Sequence, residues 1–221
     1  MTNESDACAP MPLLAGGFNS KTKLPYGLTT AHIRSAMASF IDFLGFVNAQ
    51  LHTKKMHRLE SFLMPANFSS IVGEFMSANI PKNCPSLVNN YHNGHPDMVP
   101  KGLYGKDSAQ HELEGVEVKG SRNLKGWQGH NPEDVFLMVF CFDSNRPVDV
   151  STTAPPRPFG FVKVLGAKLK KSDWKYAGRG DASRRTPTAA INASGYDKME
   201  ANWIYRDVAF EASVIEGRRG E

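Results

Sequence analysis

The sequence predicts an α+β domain, equally describable as mixed α/β, and three observations predict it. A long stretch carries apolar residues at helical spacing, short Val- and Phe-rich segments bounded by turn residues follow it, and a segment with helix boundary signals comes last. With 221 residues, 41% hydrophobic and 22% charged, the chain has the size and balance of an ordinary globular domain with a real core. We read residues 1–221 as one domain, with an N-terminal arm and helical region over about 1–80 and a core over about 81–221.

The elements follow in order. Residues 1–28, rich in Gly, Pro, Asn and Ser, read as a loose arm that a partner would order. Thr29 or Thr30 can cap a helix, because a hydroxyl there accepts from the free amides of the first turn. Beyond it Ile33, Met37, Phe40, Ile41, Leu44, Val47 and Leu51 recur at steps of three and four and form one helical face. Pro65 is expected to close that region. A second helix is expected over 69–78, "SSIVGEFMSA", ended by "NIPKNCP" and carrying a single acid, Glu74.

After residue 80 the period changes. "GVEVKG", "DVFLMVFCFD" and "PFGFVKVLGAKL" read as strands, and the second, apolar throughout, belongs at the centre of a sheet. "VSTTAPPRP" is a turn-rich connector within the domain. In "RRTPTAAINASG", Thr186 as N-cap, Pro187 at the first helical position and Gly195 past the end mark a short helix.

Several function classes drop out. No apolar run approaches the roughly 20 residues that cross a bilayer, so no membrane partner is expected. The N-terminus lacks the basic stretch of a secretion signal, and a cytoplasmic protein is expected. Cys8, Cys84 and Cys141 are odd in number and widely spaced, which indicates neither a disulfide framework nor a thiolate metal site. "KGWQGH" has no Lys-Ser/Thr pair after its glycines, so no nucleotide cofactor is expected.

The chemistry concentrates in "HPDMVPKGLYGKDSAQHELEGVEVKGSR", residues 95–122. Glu117 and Lys119, two residues apart on a strand, point to one face while Val116 and Val118 face the core. Asp97 would enter from a neighbouring strand. Two carboxylates with the Val118 carbonyl can hold Mg²⁺ and leave positions for water and phosphate, and the ammonium can stabilise charge growing on a phosphoryl oxygen. Glu112 and Glu114 read as a solvated approach to the strand. The bland alternative is a solvated salt bridge between Glu117 and Lys119.

Pro96-Asp97, nineteen intervening residues, then Glu117-Val118-Lys119 resembles the motif of the PD-(D/E)XK nuclease superfamily, and the chain resembles its type II restriction endonucleases. The resemblance covers residues 95–122 firmly and the flanking helix and strands loosely. It implies a restriction-endonuclease-like mixed β-sheet core flanked by helices, with Asp97, Glu117 and Lys119 catalytic. It also implies Mg²⁺ as cofactor on Asp97, Glu117 and the Val118 carbonyl, Glu74 as a candidate further ligand, double-stranded DNA as substrate and a prokaryotic source. His92, His95 and His130 in "YHNGHPD" and "GWQGHNPED" are similar to HNH-type nucleases only superficially, because the paired spacing is missing; they read as loop histidines.

Between Lys163 and Arg185 stand eight basic residues against Asp173 and Asp181, interleaved with Trp174 and Tyr176. Such a tract suits a polyanion. Lys168, Lys170, Lys171 and Lys175 are candidate phosphate contacts, and Arg179, Arg184 and Arg185 are candidate base or phosphate contacts. A homodimer, matching a two-fold symmetric target, is expected with the family, and Phe43 and Phe46 are candidates for its contact. A repair or junction-resolving nuclease on the same fold and a non-catalytic DNA-binding protein are the alternatives.

Overall fold

The structure, a computed structural model, describes residues 3–91, 94–129, 131–150, 155–177 and 188–219. It is a mixed α+β arrangement built on a six-stranded sheet. The helices before the sheet are α1 (Glu4–Ala7), α2 (Thr30–Thr53), α3 (Leu59–Phe62) and α4 (Pro65–Asn83). The strands β1 (Leu87–Asn89), β2 (Met98–Pro100) and β3 (Val116–Ser121) follow, then β4 (Gln128–Gly129), β5 (Phe136–Asp143), the turn of helix α5 (Pro147–Val150) and β6 (Gly160–Lys168). The chain ends with β7 (Trp174–Ala177), β8 (Thr188–Ile191), α6 (Ala193–Ala201), β9 (Trp203–Arg206) and α7 (Val208–Arg219).

The large sheet runs β1-β2-β3-β5-β6-β9, and only β3 and β5 are parallel. A small antiparallel sheet, β4-β8-β7, lies apart from it. β5 is buried at every residue because both of its faces are covered. Met138, Phe140 and Phe142 join Ile33, Met37, Phe40, Val72 and Met76 of α2 and α4, while Leu137, Val139 and Cys141 join Trp127, Trp174, Ile191 and Met199 on the other side. Period-two alternation thus sends one apolar run into two cores, and each large side chain buried contributes roughly 1.5–3 kcal/mol.

Thr29 caps α2, and its oxygen accepts from the His32 amide. Pro65 opens α4 rather than closing the helical region, since at the first helical position its missing N–H costs nothing. α4 also runs past Pro81 to Asn83, longer than its local sequence indicates, with Ile80 anchored in the core. The arm is not loose. Phe18 bridges to Tyr205 and packs on its ring in a tilted pair with centroids 4.8 Å apart, the Asn19 amide donates to the Ile204 carbonyl, and the Arg206 amide donates to the Gly17 carbonyl. It covers the edge left by β9, which would otherwise expose unpaired backbone.

The helix expected from Thr186 to Gly195 is replaced. Thr186 and Pro187 lie outside the described residues, Thr188–Ile191 is the strand β8, and Asn192 caps α6 by accepting from the Gly195 amide. β8 pairs with β7, and its alternation buries Ala189 and Ile191 beside Trp174, so tertiary pairing overrides the local helix signals. Lys163 leaves the basic surface tract for a different reason. Its side chain is 3% exposed and donates to Glu200 and Glu211 at 2.8 Å each. Burial pushes the Glu200 carboxyl up, but the Lys163 hydrogen bond, with those from Tyr196 and Arg206, brings it down to about 2.

α4 meets β3 where both chains are bare. A Cβ on Gly120 would stand 2.3 Å from the Ser69 carbonyl oxygen and 2.8 Å from the Val72 Cβ, and Gly73 faces the same stretch of β3. Gly120→Ala is therefore expected to push the helix off the strand and cost about 1–3 kcal/mol in a urea titration. Gly16→Ala, with nothing within 4 Å, should be close to neutral. Lys163→Met should cost about 3 kcal/mol at neutral pH, the low end for a broken buried pair. Because the depressed Glu200 carboxyl stabilises above its ordinary 4.5 and loses that effect as pH falls towards about 2, the deficit should shrink on acidification; a deficit independent of pH would exclude this pairing.

Candidate active site

Asp97 stands one residue before β2, held there by Asn90. The Asn90 amide donates to the Asp97 carbonyl at 2.8 Å, and its buried side chain donates to the carbonyls of Pro96 at 2.9 Å and Ala109 at 2.7 Å. Gly115 lets β3 start beneath β2: its φ is 152°, and a Cβ there would sit 2.4 Å from the Met98 carbonyl. β2 pairs with β3 only at Met98 and Val116. Past that point the edge of β3 is open, and the Asp97 carboxylate takes the place of a strand by accepting from the Val118 amide at 2.7 Å. In a strand the N–H and C=O of one residue leave on the same edge, so the Val118 carbonyl also points to this gap.

Val116 and Val118 are in the core with α2 and α4, and Glu117 and Lys119 alternate away from them. Two side-chain nitrogens reach Glu117. His95 Nδ1 lies 3.0 Å from its Oε2 and Lys119 Nζ 3.5 Å from its Oε1. The other ring nitrogen of His95 is 3.3 Å from Glu133, and its ring stacks on His111 at 5.2 Å. An open cleft of about 340 Å³ is lined by Asp97, Glu117, Val118, Lys119 and Gly120 on one side and Ser69, Gly73 and Glu74 of α4 on the other.

The two carboxyls are driven apart. Burial and then the Glu117 charge push Asp97 up to about 7 despite the Val118 hydrogen bond. Burial acts on Glu117 in the same direction, but the His95 hydrogen bond and the Lys119 charge hold it below the ordinary carboxylate range. Burial disfavours the imidazolium of His95, yet Glu117, Glu133 and Asp97 together raise its pKa. Glu74, exposed at the cleft, adds negative charge against Asp97.

Among the described residues no three His, Cys, Asp or Glu side chains form a ready cluster for a metal ion. Two carboxylates and a backbone carbonyl at one opening are a donor set that fits Mg²⁺, which takes one or two carboxylates and keeps several waters. The raised Asp97 carboxyl fits as well, because a cation between it and Glu117 would relieve their repulsion.

The structure thus brings Asp97, Glu117, Val118 and Lys119 together and sets Glu74 at the mouth. His95 and Glu133 are the residues that sequence reasoning missed. His95 reads as a loop histidine, and only its adjacency to Pro96-Asp97 signals a role; Glu133, sixteen residues after Glu117, carries no local signal. Of the basic tract, Lys168, Lys170, Lys171 and Lys175 are exposed, with Lys168 donating to the Leu113 carbonyl and 3.7 Å from Glu114. Arg179, Arg184 and Arg185, with His92 and His130, lie outside the described residues. Phe43 packs on Phe40 and Phe75 within the chain, while Phe46 is 66% exposed. No helix among the described residues is long and apolar enough to cross a membrane.

Comparison of the chain with family models, with curated proteins and with solved structures finds no match in any of the three, so the reading of the site rests on its own geometry.

Asp97 titrates above its ordinary 3.8, so the fold favours its protonated form. That contribution is complete below the unfolded value and lost as pH rises through about 7, and the raised His95 acts with the same sign. In EDTA the urea midpoint is expected to fall from about pH 5 to about pH 8, and Asp97→Asn should flatten the fall. A variant curve parallel to the wild type would show that Asp97 is not strained.

Proposed function

We propose that the chain is a Mg²⁺-dependent type II restriction endonuclease that hydrolyses phosphodiester bonds at a specific double-stranded DNA sequence. The observation that carries the proposal is the pairing of Asp97, on the Val118 amide at the open edge of β3, with Glu117 and Lys119 in one cleft. A restriction-endonuclease-like fold is part of the proposal, supported by a mixed sheet whose parallel pair, β3 and β5, follows the helix α4 that flanks the cleft.

Asp97, Glu117 and the Val118 carbonyl would hold Mg²⁺, which supplies charge neutralisation and an acidified water when bound. Glu74 could reach the same site through water. Lys119 donates to the attacking water or to a phosphoryl oxygen as negative charge accumulates there. His95 keeps Glu117 ionised and fixes its rotamer, with Glu133 holding the far ring nitrogen. The exposed Lys168, Lys170, Lys171 and Lys175 would run along backbone phosphates, with Arg179, Arg184 and Arg185 as the base-reading candidates, so affinity should fall with salt. A homodimer with an apolar contact including Phe46, and a cytoplasmic location, complete the proposal.

Incubated with plasmid DNA and Mg²⁺, the protein is expected to yield discrete, reproducible bands. Glu117→Ala should abolish cutting while leaving DNA binding, and His95→Gln should slow it about 10–100-fold. Mg²⁺ should raise the melting temperature of the wild type and not of Asp97→Asn. Structure-dependent nicks instead of bands would favour a junction-resolving nuclease, and no metal-dependent cutting at all would leave a DNA-binding protein.

A further inference from the structure

The carboxylate cleft opens at one end into a second space. Lys119 and Gly120 of β3 line both, and beyond them Ser121, Asn123, Trp127 and Gln128 enclose an opening of about 260 Å³. Glu117, Lys119 and Ser121 alternate onto one side of β3, so a polymer held at the acids can continue along this row. The chain that turns back from β3 to β4 is held tightly. Ser121 Oγ at 3.1 Å, Trp127 Nε1 at 2.7 Å and Cys141 Sγ at 3.5 Å all donate to the Asn123 carbonyl, and the Asn123 amide donates to Ser121 Oγ at 3.0 Å. The Trp127 ring is buried in the core behind β5.

This fixed backbone presents two amide side chains. Asn123 is exposed, and its side chain makes no hydrogen bond among the described residues. Gln128 is exposed too; Thr188 Oγ1 donates to its Oε1 at 3.3 Å, which leaves both Nε2 hydrogens and one Oε1 lone pair without a partner among the described residues. The register of the small sheet sets Gln128 opposite Ala190 and Ala190 opposite Lys175. Residues paired across a ladder share a face, so these three form one row, while Gly129, Ala189, Ile191 and Trp174 are buried on the other side. The sheet β4-β8-β7 thus turns one face outward beside the cleft, with exposed Gln128 and Lys175 on its two edge strands and the small Ala190 between them.

We propose that this face reads DNA sequence: Gln128 pairs with an adenine in the major groove, Asn123 contacts the neighbouring base, and Lys175 takes a backbone phosphate at the wall of the groove. An amide carries a donor and an acceptor in one plane, the match for adenine N6 and N7, whereas a phosphate offers acceptors alone and is better served by cations. The major groove, about 12 Å wide, admits a short β-ribbon. Gln128 and Lys175 stand two strand spacings apart, about 9.5 Å at the backbone, so a base edge and a groove-wall phosphate are within reach together. From Lys119 to Ser121 the strand advances about 7 Å, or about two base steps, which sets the adenine that close to the cut phosphate. The proposal rests on the nuclease reading and adds two neutral readers to the basic tract.

The test is cleavage by the full chain, with Mg²⁺, of a plasmid library carrying randomised sites, followed by sequencing of the ends. The wild-type site is expected to contain an A·T pair within about two steps of the cut. Gln128→Ala should lower the discrimination at that pair about 10–100-fold and leave the other positions unchanged, and Asn123→Ala should do the same at the adjacent pair. Gln128→Glu, isosteric but an acceptor only, should shift the preference there towards cytosine, which offers its N4 donor; a purely structural role for Gln128 would give no such shift. Thermal melts report that the variants fold, and if Gln128→Ala does not, Gln128→Glu carries the test. A wild-type site without that A·T pair, unchanged discrimination in the variants, or a rate loss equal at every sequence overturns the base contacts and leaves the nuclease reading standing. Absence of metal-dependent cleavage by the wild type overturns both.

Discussion

Burial of β5 on both faces is the constraint on which the rest of this structure depends. Phe136–Asp143 contributes to two cores, and neither can be withdrawn from without exposing the other. From Phe136 to Phe142 that strand carries no charge, and its first ionisable residue is Asp143 at its end. Its neighbour β3 carries only half of that load, with Val116 and Val118 buried and Glu117 and Lys119 left over. Beside the Lys163 pairs on β6, ionisable groups gather at the open edge of β3 and at Asp143, the last residue of β5. Both places became clefts, and α4 lies over both because bare glycines let it approach β3.

The carboxylate cleft is built so that its members disagree about protons. Asp97 spends one oxygen on the Val118 amide and is nonetheless pushed up by burial and by Glu117. Glu117 is kept ionised by His95 and Lys119. Separated titration of neighbouring acids is the usual sign of a site that accepts either a proton or a cation.

Legibility differed from element to element for physical reasons. β3, β5 and β6 were visible because their side-chain pattern answers directly to burial, and Thr29 was visible because a cap acts within one turn. Glu117 and Lys119 could be paired from spacing, since strand alternation is local, whereas Asp97 joins them only through the motif that the segment resembles. His95 and Glu133 could not, because His95 joins Glu117 and Glu133 across three separate segments. The helix expected after Thr186 failed where pairing with β7 outweighed local signals. Pro65 suits a helix stop and a helix start equally, and only the packing of α4 chooses.

By itself, the sequence determined that helices precede strands, that one strand lies at the centre, and that Glu117 and Lys119 share one face of a strand. These are short-range consequences of periodicity and of turn and cap chemistry. Tertiary structure alone decided that the N-terminal arm covers β9, that Lys163 is an internal cation rather than a surface one, and that four arginines from three distant segments enclose a cavity beside the carboxylates. Long-range burial and charge pairing set those outcomes, and no window of sequence contains both partners.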